Sequence, residues 1–423
     1  MSIYSSEITT RLIDPVFDKS NFRSEYRLMN DTVYLASMRL LNVGLSSSAT
    51  NGYNKLLGSL GCIESIQLFS GNELLDQILQ ATLLNALRSA NTNNNDNLSL
   101  NRYLKNSRLG YLAQGDQSYD SISGGQELDD IKVTVQQDST TGASTSAKSW
   151  ISLKDMLPFL AASNHIPTDT LKNLRLVVNW KQDLKDMIVQ DRTATLASLT
   201  GSILVADEMN PSPERDAVMK SYQGVRYRPI EHDSVHVPAV SGTSASALEV
   251  EQQSKFSLNG FLNKKLHKVA IVKTPTDSTT WVSGNANEGF ANQGSLALWK
   301  ERLQIRVNGS NKLVGNGVTR PNQRLAMLTD AYGTFNVVPG QQVTYLAEGS
   351  NQIDDFETQG QLSYDGLIID EPSVREFVVE MDRTGVYQNE GLNQALTLNL
   401  FGETEKAVVP TQGGGINVVY TTD

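Results

Sequence analysis

Residues 66–72 read IQLFSGN, an alternating apolar and polar run that ends in a glycine turn. Residues 305–311 read IRVNGSN and repeat this pattern 239 residues later, counting from 66 to 305. Such alternation is typical of a half-buried β-strand, and glycine permits the positive φ that a tight turn needs. Because strands often resemble one another, one matching pair is weak support for a duplicated chain.

A second pair of similar stretches lies farther along the chain. Residues 174–179 read LRLVVN and residues 396–401 read LTLNLF, an offset of 222 residues, from 174 to 396. The difference of 17 between the offsets of 239 and 222 is what loops of unequal length would produce. Two β-units of about 200 residues each would fill the 423-residue chain.

The composition agrees with a β scaffold that carries long polar loops. Hydrophobic residues make up 39% of the chain and charged residues 19%. Both shares lie below the usual values of roughly 45–50% and 25%. Asn, Gln, Ser, Thr and Gly fill the difference, and these residues favour turns.

Two features divide the chain. Residues 1–25 are polar and unpatterned, so we predict an N-terminal arm there. The stretch Asn210-Pro211-Ser212-Pro213 interrupts the strand pattern, so we place the boundary between it and about Val225. We therefore predict a first unit at residues 26–215 and a second unit, with a C-terminal tail, at residues 216–423.

One segment predicts a helix among the strands. Apolar residues recur at helical spacing from Leu75 to Leu87, which gives one apolar face. Asn72 precedes this stripe and is a suitable N-cap. We expect the helix to begin directly after Asn72.

Charge, cysteine content and the lack of long apolar runs restrict the classes of function that the sequence allows. The net charge is −10, so direct binding to nucleic-acid phosphates is disfavoured. Cys62 is the only cysteine, which excludes a disulfide within the chain, and its apolar surroundings predict a buried thiol. Residues 1–27 show no signal-peptide core, and no run approaches the ~18 apolar residues of a membrane span. We expect a protein made in a reducing compartment.

The sharpest candidate metal site is residues 231–236, EHDSVH, with two histidines and two carboxylates. On a helix, histidines four positions apart could bind zinc. Pro229 and Pro238 flank the segment and favour an extended chain, in which such histidines lie about 13 Å apart. We therefore predict a solvated strand or linker and no metal site.

Other chemistry is poorly supported by the sequence. The acidic pairs are Asp129-Asp130, Asp207-Glu208, Asp354-Asp355 and Asp370-Glu371. Neighbours on a strand point to opposite faces, so each pair is interpreted as surface charge. The glycines at 413–415 are not followed by a helix pattern, and residues 91–96 lack the glycine of a calcium loop. We predict no enzyme and no catalytic, cofactor-binding or metal-binding residue.

Three stretches carry a family resemblance. Residues 34–44 read YLASMRLLNVG, residues 53–58 read YNKLLG, and residues 61–76 read GCIESIQLFSGNELLD. They resemble the first jelly roll of double jelly-roll major capsid proteins, particularly those of polinton-like viruses and virophages in the adenovirus-type lineage. Further matches occur at Leu153, Leu157 to Leu160, Ile166-Pro167 and residues 174–178. The resemblance covers residues 26–205; the second half shares mainly length, strand style and the run at 396–400.

The resemblance implies an all-β fold of two tandem eight-stranded jelly rolls, with short helices and long loops. It also implies a major capsid protein whose homotrimers form pseudo-hexagonal tiles of an icosahedral virus shell. The expected location is the virion, after assembly inside the host cell. The expected partners are neighbouring capsomers, penton and minor capsid proteins. Contact with an inner membrane stays open, because the arm lacks the basic or amphipathic helix of some relatives.

Two other functions stay open at this point. A tandem β-sandwich could bind carbohydrate, for example as a spike protein, through an exposed aromatic platform. The chain has only four tryptophans, and Trp180 shares an apolar strand face, so no platform is predicted. A jelly-roll hydrolase is the third possibility.

Overall fold

The computed structural model describes residues 8–20, 22–43, 62–91, 149–182, 201–238, 249–275, 300–313, 317, 321–333, 364–386, 395–411 and 415–421. Strands dominate these ranges. In the first half they are β1 Ile8–Ile13, β2 Phe17–Ser20, β3 Arg23–Arg27, β4 Val33–Leu35, β5 Arg39–Val43, β6 Ile63–Ser70, β7 Glu73–Ile78, β8 Ser149–Ser152, β9 His165–Pro167, β10 Leu174–Trp180 and β11 Ile203–Met209.

The second half contains a further set of strands. They are β12 Val225–Tyr227, β13 Ile230–Val237, β14 Glu249–Ser257, β15 Leu266–Pro275, β16 Lys300–Val307, β17 Ser310–Asn311, β18 Tyr364–Glu371, β19 Phe377–Val386, β20 Leu396–Thr404, β21 Lys406–Pro410 and β22 Ile416–Tyr420. The helices of the described ranges are α1 Ala81–Asn91, α2 Pro158–Ala162, α3 Pro213–Ser221 and α4 Pro321–Tyr332. No helix in these ranges has the length and apolar character needed to cross a bilayer.

Strands β13 to β20 form a jelly roll, which we call roll 2. Its two sheets have the orders β13-β20-β15-β18 and β14-β19-β16-β17. If these eight strands are counted in chain order, the sheets read 1-8-3-6 and 2-7-4-5. All of the ladders are antiparallel. This order is that of a sandwich built from two Greek keys.

The first half repeats this order and forms roll 1. One sheet contains β1-β11-β5-β8 and the other β3-β10-β6-β7, again 1-8-3-6 and 2-7-4-5 when these eight strands are counted in chain order. Strand β4 extends β5 beside β11, β9 extends β8, and β2 adds an edge strand next to β3. The predicted fold class, two tandem eight-stranded jelly rolls, is confirmed.

One of the two sequence repeats marks equivalent places in the rolls. The stretches at 66–72 and 305–311 form the hairpins β6–β7 and β16–β17, the fourth and fifth strands of each roll. Their turns contain Gly71 at φ 57° and Gly309 at φ 77°. The other repeat is wrong, because β10 is the seventh strand of roll 1 and β20 is the eighth strand of roll 2. Central strands of both sheets share the same apolar alternation, which does not specify the sheet.

The prediction of an unpatterned arm at residues 1–25 is wrong where the structure describes them. Strand β1 is the first strand of roll 1 and pairs with β11 along its whole length, from Ile8↔Met209 to Ile13↔Leu204. Strand β2 pairs with β3. Because β1 lies at a sheet edge and exposes Thr10, Arg11 and Leu12, its sequence lacks the regular alternation of a half-buried strand.

The division into two units remains a proposal that the strand pairing supports. No ladder among the described residues joins a strand of β1–β11 to one of β12–β22. Helix α3 occupies the proposed boundary. Ser212 is its N-cap, since the Ser212 hydroxyl accepts a hydrogen bond from the Arg215 backbone N–H at 3.1 Å, and Pro213 occupies the first turn.

The helix predicted after Asn72 begins later, at Ala81. Residues 73–78 instead form β7, which pairs with β6 across the Gly71 turn. Leu75 and Ile78 are buried, so their spacing satisfies the apolar requirement of either structure. Within α1, Leu83 and Leu87 are buried as expected, and Leu84 is buried as well.

Each roll has an apolar interior, and one of the two cores continues beyond its roll. Ile305, Phe377 and Leu398 belong to the core of roll 2. The core of roll 1 includes Trp180, which is buried as predicted and donates from Nε1 to the Ser24 hydroxyl at 2.8 Å. The side chains of the other three tryptophans lie outside the described residues.

Glycine at position 402 is required by the packing of roll 2. A Cβ at Gly402 would lie 2.5 Å from Phe261 Cε1 and 2.9 Å from Leu266 Cδ1. Both neighbours are fully buried, so neither can move aside freely.

We therefore expect Gly402→Ala to destabilise the protein by about 1–3 kcal/mol through overpacking. The measurement is the urea midpoint of unfolding at constant pH. Gly201→Ala is the matched control, since a Cβ there would meet only Asp18 Oδ2 at 3.7 Å. Equal midpoints for the two variants would contradict this account of Gly402.

Candidate functional site: the junction between the rolls

Roll 2 is attached to roll 1 at both of its ends. Strand β12 precedes roll 2, and β21 and β22 follow it. These three strands form a separate sheet in the order β12-β21-β22. In this region β13 and β22 contact β7 of roll 1, and α2 contacts β12. The chain therefore enters and leaves roll 2 at the same surface, which we call the junction.

The apolar part of the junction is centred on Tyr227. Its ring is 3% exposed and packs edge-on against Phe159 of α2, with centroids 5.4 Å apart at 82°. Its hydroxyl donates a hydrogen bond to the Leu75 carbonyl of β7. Buried edge-to-face pairs contribute about 0.5–1.5 kcal/mol beyond area burial. One tyrosine thus binds two elements of roll 1.

The core of roll 1 extends through this contact into the second half. Its buried members there are Tyr227, Ala270, Val272, Leu328, Phe401 and Val408. These residues come from β12, β15, α4, β20 and β21. The two rolls therefore share a continuous apolar core at the junction, instead of touching through polar surfaces.

The charged part of the junction is centred on Glu231 of β13. Its carboxylate accepts a hydrogen bond from the Tyr420 hydroxyl at 2.6 Å. The same carboxylate pairs with Lys406 Nζ at 3.0 Å and with Lys264 Nζ at 3.4 Å. Both ammonium groups also lie 4.5 Å from the centre of the Tyr420 ring. One carboxylate thus joins β13, β21, β22 and the loop before β15.

The environment of Glu231 favours its charged form. Burial alone would raise the pKa of this carboxyl, but Lys406, the Tyr420 hydroxyl and Lys264 together hold the pKa below its ordinary value. Burial and the hydrogen bond to Glu231 raise the pKa of Tyr420, so the phenol keeps its proton. The cluster holds a carboxylate that is both buried and satisfied.

Asp76 of β7 is the carboxyl that roll 1 contributes to the junction. It is fully buried and accepts hydrogen bonds from the backbone N–H groups of Phe159, at 2.7 Å, and Gln77, at 2.9 Å. Burial raises its pKa to about 7, although the two backbone N–H groups and Lys406 oppose this rise; Glu231 adds to it. Asp76 therefore ionises near neutral pH at the contact between the rolls.

The predicted metal candidate, residues 231–236, lies within β13, so the extended interpretation is confirmed. His232 Nε2 lies 3.2 Å from Asn399 Oδ1, and Asp233 accepts a hydrogen bond from the Gly260 N–H at 2.8 Å. Among the described residues no group of three or more His, Cys, Asp or Glu side chains could hold a metal ion.

The expectation of a solvated strand is wrong for Glu231, which is 8% exposed. A signal was present in the sequence. Glu231 shares its strand face with Val235 and Val237, and apolar residues mark the inward face. The partners that satisfy its charge, Lys406 and Tyr420, are about 180 residues away and follow from the fold alone.

Three of the four described members of the acidic pairs are held by basic side chains. Asp207 pairs with Arg39 Nη2 at 2.6 Å, and Glu208 pairs with Arg11 Nε at 2.6 Å. Glu371 pairs with Lys312 Nζ at 2.9 Å. The fourth, Asp370, is 72% exposed and lies 3.7 Å from His267 Nδ1. The interpretation as surface charge is wrong for Asp207, which is 8% exposed.

Other predicted features are partly outside the described residues. Asp129-Asp130, Asp354-Asp355, residues 92–96 and Gly413-Gly414 all lie outside them. Cys62 is described and buried as predicted, and burial raises the pKa of its thiol to about 12.

Comparisons with known proteins identify the fold. No protein-family model and no curated protein sequence matches the chain. Solved structures do match over nearly all of it. PBCV-1 VP54, fitted into a cryo-EM reconstruction of the virophage Sputnik, matches with a TM-score of 0.59 and 9% identity, over 100% of this chain and 99% of VP54.

Two further structures agree. A chain of the Sputnik virophage solved by cryo-EM gives a TM-score of 0.58 and 11% identity, over 99% of this chain and 89% of that chain. The mavirus major capsid protein gives a TM-score of 0.54 and 12% identity, over 100% of this chain and 92% of that chain. The chain therefore has the double jelly-roll fold of these proteins, as the sequence resemblance implied.

We expect Glu231→Gln to destabilise the junction by about 3 kcal/mol, because two partly or fully buried ammonium groups lose their counter-ion. The urea midpoint of unfolding measures this loss. Glu380→Gln is the control: Glu380 pairs with Arg306 at 3.2 Å and with Lys255 at 3.4 Å, and these cations are 33% and 59% exposed, so the loss should stay within about 1 kcal/mol. A smaller loss for Glu231→Gln than for Glu380→Gln would contradict the central place of Glu231.

Asp76 predicts a specific pH dependence of stability. Its pKa in the folded protein, about 7, lies above the ordinary 3.8. The folded state therefore binds more protons, and the free energy of unfolding falls as the pH rises from about 4 to 7.

Asp76→Asn should flatten this slope, as measured by urea midpoints between pH 5 and pH 8. Asp216→Asn, at an exposed carboxyl of α3, should leave the slope unchanged. If Asp76→Asn keeps the slope of the unmodified protein, the pH dependence has another origin.

Proposed function

We propose that this chain is a viral major capsid protein that acts through its shape. The observation that carries the proposal is the match of the whole chain, both rolls together, to PBCV-1 VP54, a Sputnik virophage chain and the mavirus major capsid protein, with TM-scores of 0.54 to 0.59. Since identities are 9–12%, the function rests on the fold and its architecture.

The junction supports this proposal physically. A tile must hold its lobes in a fixed relation, and the shared apolar core and the Glu231 cluster do this for the two rolls. A chain with two similar lobes becomes a six-lobed block when three copies assemble, and such a block tiles a hexagonal lattice. We therefore propose a homotrimer within an icosahedral shell, in contact with neighbouring capsomers, penton and minor capsid proteins.

The proposal includes no catalysis. Of the carboxylates that sequence analysis singled out, Asp207, Glu208 and Glu371 are engaged in ion pairs within the rolls. The carbohydrate-binding alternative needs exposed aromatic rings, and the buried position of Trp180 counts against it.

The purified protein should behave as a trimer of 139.2 kDa, three times the chain mass of 46.4 kDa. Size exclusion with light scattering measures the mass, and negative-stain electron microscopy should show six-lobed particles. Trimer interfaces of this obligate kind should bury more than about 2,000 Å². A mass of 46.4 kDa at all concentrations and salt conditions would overturn the proposal.

A further inference from the structure

Three large apolar side chains are exposed within one short segment of roll 1. Leu12 is 67% exposed, Val16 50% and Phe17 52%. The described ranges expose eight large apolar side chains, and three of the others, Val409, Val419 and Tyr420, lie on the β21–β22 hairpin. We call residues 8–20 the β1–β2 edge. Clustered apolar exposure on a sheet edge is what proteins avoid unless a partner covers it.

The β1–β2 edge occupies one side of roll 1. Strand β1 pairs only with β11 in the described ladders, and β2 pairs only with β3. The two strands are therefore the outer strands of the two opposed sheets, on the same side of the sandwich. This side has backbone and apolar groups available to a neighbour.

In roll 2, the side that is equivalent to the β1–β2 edge is covered by roll 1. Its first strand, β13, is the counterpart of β1 and lies against β7, the fifth strand of roll 1. Within one chain, the first-strand side of one roll thus meets the fifth-strand side of the other. The remaining first-strand side is the β1–β2 edge, and the remaining fifth-strand side is that of β17 in roll 2.

The charges on these two remaining sides are mixed. The β1–β2 edge carries two acidic and two basic residues, Arg11, Asp14, Asp18 and Lys19. On the β17 side, Arg306 pairs with Glu380 at 3.2 Å and Lys312 with Glu371 at 2.9 Å. Charge therefore favours no particular pairing of the two sides, which are matched by their equivalent places in the rolls.

We propose that the β1–β2 edge of one copy docks on the β17 side of roll 2, residues 305–312, of a second copy of this chain. The contact joins two unlike surfaces, so it is head-to-tail, and such a contact forms a ring when the rotation between copies closes. Three copies then place six rolls in a ring in which every first-strand side meets a fifth-strand side. This inference rests on the proposed function and assigns the surfaces that would form its trimer.

The first test is the mass of Phe17→Asp. A carboxylate in the covered patch should reduce the particle threefold, from 139.2 to 46.4 kDa by light scattering. Ile368→Asp is the matched control, since Ile368 is also 52% exposed but lies on β18, and it should keep the trimer mass. Circular dichroism and the thermal midpoint check that both variants fold.

The second test does not depend on a disruptive variant. Phe17→Cys and Ser310→Cys are combined in one chain and treated with a short bismaleimide, while buried Cys62 stays unmodified. The double variant should give covalent dimers and trimers on a denaturing gel, and each single variant should give monomers.

The outcomes separate this inference from the proposed function. If the unmodified protein is trimeric but the double variant gives no covalent product, or Phe17→Cys alone is linked to itself, the surfaces are wrongly assigned and the capsid proposal stands. If Phe17→Asp and Ile368→Asp have the same mass, the β1–β2 edge is likewise wrong. If the unmodified protein is a monomer, both proposals fail.

Discussion

The structure depends on one buried carboxylate and the groups that satisfy it. Glu231 follows the linker into roll 2, and Lys406 and Tyr420 come after the last strand of that roll. Burying a charge is costly unless every lone pair finds a partner, so the cluster is stable only when all of its elements are in place. The apolar packing of Tyr227 against Phe159 lies beside it. Together they convert two separate sandwiches into one body.

Two carboxyl groups of the junction make the stability of the protein depend on pH in opposite directions. Glu231 has a lowered pKa, so its stabilisation is present at ordinary pH and is lost only in acid. Asp76 has a raised pKa, so its ionisation opposes folding as the pH passes from about 4 to 7. The difference arises from the partners: Glu231 has two nearby cations, whereas Asp76 has backbone N–H groups and a more distant lysine. The contact between the rolls is therefore most sensitive to pH on the roll 1 side.

Sequence reasoning predicted two β-units because strand alternation and turn glycines are local properties, whereas the jelly-roll topology was implied by the family resemblance. The hairpin at 66–72 and its counterpart at 305–311 were correctly paired, since Gly71 and Gly309 fix the same turn. The assignment of β10 to β20 failed because alternation reports burial and not the sheet to which a strand belongs. Strand β1 was missed for the opposite reason: an edge strand exposes polar residues on a face that a central strand would bury. The contacts of the junction could not be predicted from local sequence patterns, because its groups meet only after both rolls have formed. The strand face of Glu231 could have been predicted, but its lysine and tyrosine partners could not.

The position of β22 in the chain has a consequence for the order of folding. Tyr420 follows every strand of roll 2 in the sequence, so it is synthesised after the other two partners of Glu231, Lys264 and Lys406. Domains fold largely as units during synthesis, N-terminal ones first. Roll 1 is therefore expected to form before the β21–β22 hairpin completes the contact with β7 and Glu231. A chain without this hairpin would hold its two lobes without the Tyr420 and Lys406 groups that fix them at the junction.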